Sequence, residues 1–272
     1  MKKIVLITFY KDIELLKKAC YSVDNQTIKL DQKYILLDGG GDDIEDANFL
    51  DWIILRSSDN VGQFGLFYLF KNYYDADRIF ILDSDDIWKP SHVDEHLKVN
   101  ADIVYSRNRI IKDGLVGRKG GLLPIKNKEL NSLYYNNWIG PISQVSFSGD
   151  VFSNALPLPE SLLTNKDWYF YISILSKKDT SIIFIDKVTL LYRLWDGGVS
   201  SNFNKVDSGR TEFWKLLPKG LDDSKLKLSY YKFLLTRKLI HNISFTKIFH
   251  TLKITDFFIF TLMFLYSKLF KL

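Results

Sequence analysis

An α/β fold built on a mostly parallel central sheet is predicted by three observations. Short apolar, β-rich runs recur through the first half of the chain, at Lys3–Phe9, Lys33–Leu37, Trp52–Leu55 and Arg78–Leu82. Stretches of helical spacing lie between them, an alternation that sets consecutive strands parallel. Polar, glycine-bearing or acidic segments follow the carboxyl ends of these runs, where open α/β sheets collect ligands. With 272 residues, 46% apolar and 15% aromatic, the chain can bury a full core. The expected division is a body of residues 1–205 and a helical, basic and aromatic extension of residues 206–272.

The first apolar run is too short for a secretory leader, Lys11-Asp12 ends it, and no small-residue cleavage site follows. It is expected to be a strand. Asp12 to Ser22 carries Ile13, Leu15, Leu16, Ala19 and Cys20 at helical spacing. The second strand runs into Asp38-Gly39-Gly40-Gly41-Asp42-Asp43, where glycines either let the backbone approach a ligand or simply turn the chain. The third leads through the polar segment Ser57 to Gln63 into a helix expected from Gly65 to Tyr74.

The fourth strand ends in Leu82-Asp83-Ser84-Asp85-Asp86-Ile87-Trp88-Lys89-Pro90. Three carboxylates in four positions repel one another unless a cation or ligand sits among them. Mg²⁺ or Mn²⁺ uses one or two carboxylates plus phosphate oxygens, so a metal–diphosphate site is one reading. An acidic strand-to-helix turn capped by Asp86 is the other.

Ser91 is a candidate N-cap, and His92-Val93-Asp94-Glu95-His96 fits the inverted zinc-peptidase pattern on a helix. That pattern also needs a third ligand and a cleft, so a solvated helix face is the default expectation. Ile103–Tyr105 reads as a strand, and Lys112 to Lys128 as a glycine-rich basic surface loop without the ending of a P-loop. Gln144–Ser148 reads as a strand and Val151 to Leu156 as a helical turn. Asp167 precedes the aromatic run Trp168-Tyr169-Phe170-Tyr171, which suits helix capping and catalysis equally on spacing. Ser181–Ile185 and Val188–Tyr192 are expected as two strands around Asp186-Lys187, ahead of a polar turn from Arg193 to Ser200.

A single cysteine, Cys20, excludes an internal disulfide framework and suits a reducing compartment. The net charge of +5 is unevenly placed: residues 225–272 hold nine Lys/Arg against Asp256, leaving 28 basic and 31 acidic residues elsewhere. The body therefore has no basic bias toward nucleic acid. Phe257 to Tyr266 is nearly unbroken apolar sequence but short for a membrane span. Basic amphipathic helices lying on an anionic membrane surface are the expectation for 225–272, and helices packed on the body or on a second subunit the alternative.

Several segments resemble, in order, the family-2 inverting glycosyltransferases of the GT-A fold, particularly bacterial capsule, O-antigen and rhamnosyltransferase-like enzymes. Leu82 to Pro90 is similar to the family's D-x-D-D-x-W-x-P segment, and Ile35-Leu36-Leu37-Asp38-Gly39-Gly40 to its V-V-D-D-G-S. Asn60-Val61-Gly62 matches N-x-G, Lys166-Asp167-Trp168 resembles E-D-W, and Leu191-Tyr192-Arg193 with Gly197-Gly198-Val199-Ser200 resembles the closing Y-R-x-H-x-x-x-V-S. The likeness covers residues 3–203. Departures are Thr8-Phe9-Tyr10-Lys11 for P-T-Y-N, Gly39 for the second acid, Lys166 for Glu, and Trp195 for a common His.

The resemblance implies transfer of a sugar from a nucleotide-diphosphate sugar, most often a UDP-sugar, to a hydroxyl of a lipid-linked saccharide, with Mn²⁺ or Mg²⁺ as cofactor. It assigns the catalytic base to Asp167 and the metal to Asp85. Asp83 would touch the ribose or donor sugar, Asp38 the nucleotide base, and Thr8 and Tyr10 would line that pocket. Asn60, Gly62, Trp168 and Arg193 complete the expected substrate contacts, Arg193 facing diphosphate charge. The expected location is the cytoplasmic face of the bacterial inner membrane. The competing class is an inactive nucleotide-sugar-binding or membrane-scaffold subunit.

Overall fold

The computed structural model describes residues 1–40, 44, 49–112, 115–120, 130–135, 137–177, 179–194, 203–219 and 221. The expected tail features from residue 222 onward, the segment 195–202, residues 121–129, and Gly41 to Asp43 lie outside the described residues.

Strands β1 (Lys3–Phe9), β2 (Gln32–Leu37), β3 (Ile53–Arg56) and β4 (Arg78–Asp83) form the parallel half of one mixed sheet, in the order β3-β2-β1-β4. Beyond β4 the sheet continues through β8 (Val145–Ser148), β6 (Ile103–Lys112), β9 (Ile182–Leu194) and β5 (Ile87–Trp88). Strand β7 (Leu115–Gly120) pairs antiparallel with β6, so part of the expected basic loop is a hairpin arm. The β4–β8, β6–β8 and β5–β9 pairs are antiparallel, whereas β6–β9 is parallel.

Alternation along each parallel strand builds two cores, one on each face. Ile4, Leu6, Tyr34, Leu36, Ile79 and Ile81 face one way, where α2 (Gly62–Leu69) and α6 (Lys166–Leu175) cover them. Val5, Ile7, Ile35, Leu37, Phe80 and Leu82 face the other, under α1 (Ile13–Asp24) and α3 (His92–Leu97). The expected helix from Gly65 to Tyr74 starts three residues earlier, at Gly62, and ends in a 3₁₀ turn at Lys71–Tyr73. The remaining helices are α4 (Leu130–Leu133), α5 (Gly149–Asn154) and α7 (Phe203–Leu216). Helix α7 packs Phe213 against Trp168, ring centroids 4.5 Å apart, so it docks on α6 across the expected boundary at residue 205. Among the described residues no helix is long and apolar enough to cross a membrane.

Two expectations are corrected. The strands on either side of Asp186-Lys187 are one strand, β9. Its central charges are held by neighbours: Arg107 pairs with Asp186, and Lys187 with Glu95 at 2.8 Å. The helix face of His92 and His96 is not solvated. Both rings are fully buried, with Nδ1 2.7 Å from Thr189 Oγ1 and 2.9 Å from Ser146 Oγ respectively. Glu95 engages Lys98 and Lys187 instead, so the three residues do not converge as a zinc site does.

Burial holds both imidazoles neutral. Desolvation, reinforced by His96, pushes His92 well down; desolvation, reinforced by Arg78, pushes His96 down to about 3. A folded-state pKa below the unfolded value of about 6.5 contributes nothing at higher pH and costs stability as pH falls below that value. His96→Gln should therefore gain on the native chain by about 1.4 kcal/mol per pH unit below pH 6.5, reaching about 2 kcal/mol at pH 5. Urea midpoints of both proteins at pH 8, 6 and 5 measure this; a difference constant with pH would contradict it.

Candidate active site

The carboxyl ends of β2, β1 and β4 lie side by side, and each carries a predicted site residue: Asp38, Thr8 and Asp83. Thr8 and Asp83 are register partners. Helix α2 starts beside this edge without a side-chain cap of its own. Asp38 supplies it from β2: Oδ1 accepts from Val61 N at 2.7 Å and Gly62 N at 3.2 Å, and Oδ2 from Gly62 N at 3.0 Å. The orphan amides of a helix N-terminus are thus satisfied across the chain. Burial raises the Asp38 pKa, while those amides, Gly39 N–H and the Lys166 charge pull it back. Gly62 takes φ 70°, a backbone conformation that favours glycine. Gly39 is required by the protein itself, because a Cβ there would stand 2.5 Å from the Ser58 carbonyl oxygen.

The acidic segment turns tightly, Asp86 N donating to the Asp83 carbonyl at 3.0 Å. Trp88 anchors it from beneath: its Nε1 donates to the Ser143 carbonyl at 2.7 Å, and its ring stacks on His92 at 4.3 Å. Arg193 in β9 holds the turn from the side. Its backbone N–H donates to Asp86 Oδ1 and its Nε to the Asp85 carbonyl, both at 2.8 Å. The Asp83 carboxylate accepts from Gln63 Nε2 at 2.6 Å; the same amide donates to Thr8 Oγ1 at 3.1 Å, and Asp83 N–H donates to Ser143 Oγ at 3.0 Å.

Crowded negative charge shows in the protonation of this loop. Burial, then the Asp85 charge, then Asp167 push Asp83 up to about 7, against hydrogen bonds from Gln63 and Ser143. Burial, then Asp85 and Asp83, hold Asp86 well above the usual carboxylate range. Asp86 Oδ2 is buried with no hydrogen-bond partner. A cation beside the loop would relieve this repulsion. Among the described residues no group of three or more metal-ligating side chains converges.

Asp167, on α6, acts by its charge on the acidic turn. It is the second residue of that helix, and its Oδ1 accepts from Trp168 N at 2.7 Å. Burial, partly offset by that amide, pushes its pKa up to about 6. Its charge acts on Asp83, and the buried Tyr171 hydroxyl, donating to the Gly140 carbonyl at 3.2 Å, is raised by burial and then by Asp167 and Asp83. Asp167 therefore lies close enough to the acidic turn for its charge to act on Asp83.

Of the other expected contacts, Tyr10 is exposed, with Lys11 Nζ 5.1 Å from its ring centre, and Asn60 is exposed ahead of α2. Trp168 is corrected from a substrate contact to a core residue. It is 3% exposed, its Nε1 donates to the Leu133 carbonyl at 2.6 Å, and Arg210 and Phe213 lie against its ring. Gln63 and Ser143 are site residues that sequence reasoning missed. A polar side chain just inside the apolar helix α2 was a signal for Gln63, but nothing local marks Ser143.

The sheet and its flanking helices define a GT-A-like, Rossmann-type fold, with an acidic turn at the carboxyl edge of its parallel strands. Crystal structures of S. aureus TarS share the fold. TarS 1-349 in complex with UDP-GlcNAc superposes with a TM-score of 0.58 at 16% identity, over 88% of this chain and 73% of that one. TarS 1-349 in complex with UDP gives 0.55 at 16% identity, over 94% and 77%. Against a further crystal structure of S. aureus TarS the score is 0.54 at 15% identity, and this chain spans 44% of that one. No protein-family model and no curated protein sequence matches the chain.

Proposed function

We propose that this chain is an inverting glycosyltransferase that takes its sugar from a UDP-sugar. One observation carries the reading: Asp167, in the first turn of α6, lies close enough to the acidic turn at the carboxyl edge of the parallel strands for its charge to act on Asp83. The fold that bears this arrangement is also that of TarS crystals containing UDP-GlcNAc and UDP, which supports a UDP donor.

Asp167 takes the proton of the acceptor hydroxyl as its oxygen bonds to the anomeric carbon. The bond from that carbon to the diphosphate oxygen breaks, and its electron pair leaves with UDP. A single base without a carboxylate nucleophile beside it suits one displacement and inversion. Mn²⁺ or Mg²⁺ held by Asp85 would supply charge neutralisation for the departing diphosphate. Asp83, held by Gln63, would meet the ribose or donor sugar. Asp38 already accepts from two amides, Val61 N–H and a Gly62 N–H shared between its two oxygens, and has acceptor capacity left for the nucleotide base. Arg193 fixes the acidic turn, its Nε donating to the Asp85 carbonyl, and its guanidinium would meet diphosphate charge. By family analogy we assign the acceptor to a lipid-linked saccharide of bacterial surface polysaccharide synthesis. The basic, aromatic segment 225–272 would hold the enzyme on the cytoplasmic face of the membrane.

A thermal-shift screen of nucleotide-diphosphate sugars with Mn²⁺, then with chelator, tests the donor. At about 100-fold excess over Kd, a UDP-sugar should add about 2.7 kcal/mol, or about 5–10 °C in Tm. No shift with any nucleotide would end the proposal. Binding without hydrolysis or transfer would instead make the chain a nucleotide-sugar-binding subunit, the reading that Lys166 in place of an acid favours.

A further inference from the structure

Gln63 stands near the start of helix α2 among Phe64, Leu66, Phe67 and Leu69. Its place is set from β2, where Asp38 accepts the amides of Val61 and Gly62, the two residues before it. From there Gln63 Nε2 uses both of its hydrogens. One goes to Thr8 Oγ1 at 3.1 Å, on β1, and the other to Asp83 Oδ1 at 2.6 Å, at the end of β4. Residues 61–63 thus tie together the ends of three neighbouring strands, β2-β1-β4, which span about 10 Å, two strand spacings.

Strand pairing does not require this bridge. Strands β1 and β4 are in parallel register from Lys3 and Arg78 through to Thr8 and Asp83. The Asp83 backbone is fixed as well: its N–H donates to Ser143 Oγ and its carbonyl accepts from Asp86 N, both at 3.0 Å. What the amide adds is the direction of the carboxylate, which it clamps against Ser143 with a charge-assisted hydrogen bond. Gln63 is only partly buried, and methionine, of equal helix preference, would suit the apolar face of α2 without the cost of ordering an amide. A nucleoside diphosphate reaching from Asp38 to Asp85 carries its ribose between base and phosphates, along the interval that ends at Asp83.

Resting on the donor reading above, we infer that Gln63 is a positioning residue for the donor, aiming the Asp83 carboxylate at the ribose hydroxyls of the nucleotide. It acts through Asp83 and does not touch the reacting atoms. Gln63→Met keeps the length of the side chain and removes both donors, so it should weaken UDP binding about tenfold, as loss of a hydrogen bond to a charged group does. Asp83→Ala should weaken it at least as much. The double variant should then bind UDP as Asp83→Ala does, because without the carboxylate there is nothing left to aim. UDP is titrated in Mn²⁺ buffer by calorimetry, and by ligand-observed NMR for the weaker variants, with circular dichroism verifying that each is folded. Additive losses, with the double variant about tenfold weaker than Asp83→Ala, would mark a general effect of Gln63 on helix α2 and overturn the inference. Native-like UDP affinity in Gln63→Met would overturn it too. If the native chain itself fails to bind UDP, the donor reading falls first, before any variant is compared.

Discussion

Asp167→Asn is expected to lower sugar transfer by about 10³-fold, the scale of a positioned general base, while UDP affinity stays at the native level. The substitution is mild for the fold. The amide oxygen of Asn can still accept from Trp168 N, the bond that Asp167 Oδ1 makes at 2.7 Å. An amide also avoids the desolvation that drives the carboxyl up to about 6, so the variant should be no less stable than the native chain. What it loses is the ability to take a proton. The pH profile separates this role from simple positioning. In the native enzyme kcat should rise tenfold per pH unit below about 6 and level off above it, as Asp167 ionises. Residual activity of Asp167→Asn should lack that limb. Turnover of the variant at the native rate would remove Asp167 from the chemistry.

Much of this site was legible in the sequence because its parts are strand ends, and strand ends are marked locally. The runs 3–9, 33–37 and 78–82 coincide with β1, β2 and β4 to within a residue at either end. Reading failed where a distant neighbour decides a residue's environment. Asp186-Lys187 looked like a turn because two charges interrupt an apolar run, yet Arg107 and Glu95, from other elements, satisfy both within a strand. His92 and His96 looked solvated beside Asp94 and Glu95. Their burial depends on Thr189, Ser146 and Trp88, which no local spacing reveals. The same holds for Ser143, sixty positions from the aspartate whose amide it accepts. Asp38 combines both cases. Its place after a strand marked it as a site residue, but its capping of α2 required the fold.

Asp85→Asn should uncouple stability from metal-linked nucleotide binding. After burial, the Asp85 charge is the next cause raising both Asp83 and Asp86, so the native turn carries repulsion at neutral pH. The sign follows from linkage. A carboxyl whose folded pKa is raised costs stability above that pKa and loses the cost as pH falls toward the unfolded value of about 4. Removing the Asp85 charge relieves the same repulsion without acid. The ligand-free variant should therefore melt a few degrees higher at pH 7.5, the size of a ~1 kcal/mol gain for a chain of this length, with the advantage shrinking toward pH 4. In the presence of UDP the order should reverse. The native chain should gain stability from Mn²⁺ and UDP together beyond the sum of each alone, and Asp85→Asn should lose that synergy along with about 10² or more of the transfer rate, the scale of removing one charge-stabilising group. Calorimetric melts of both proteins across a Mn²⁺ and UDP grid read both effects. If the variant kept the Mn²⁺–UDP synergy, the metal would have to be held by other carboxylates of the turn. Asp83 is the nearest alternative, but its carboxylate is already engaged by Gln63.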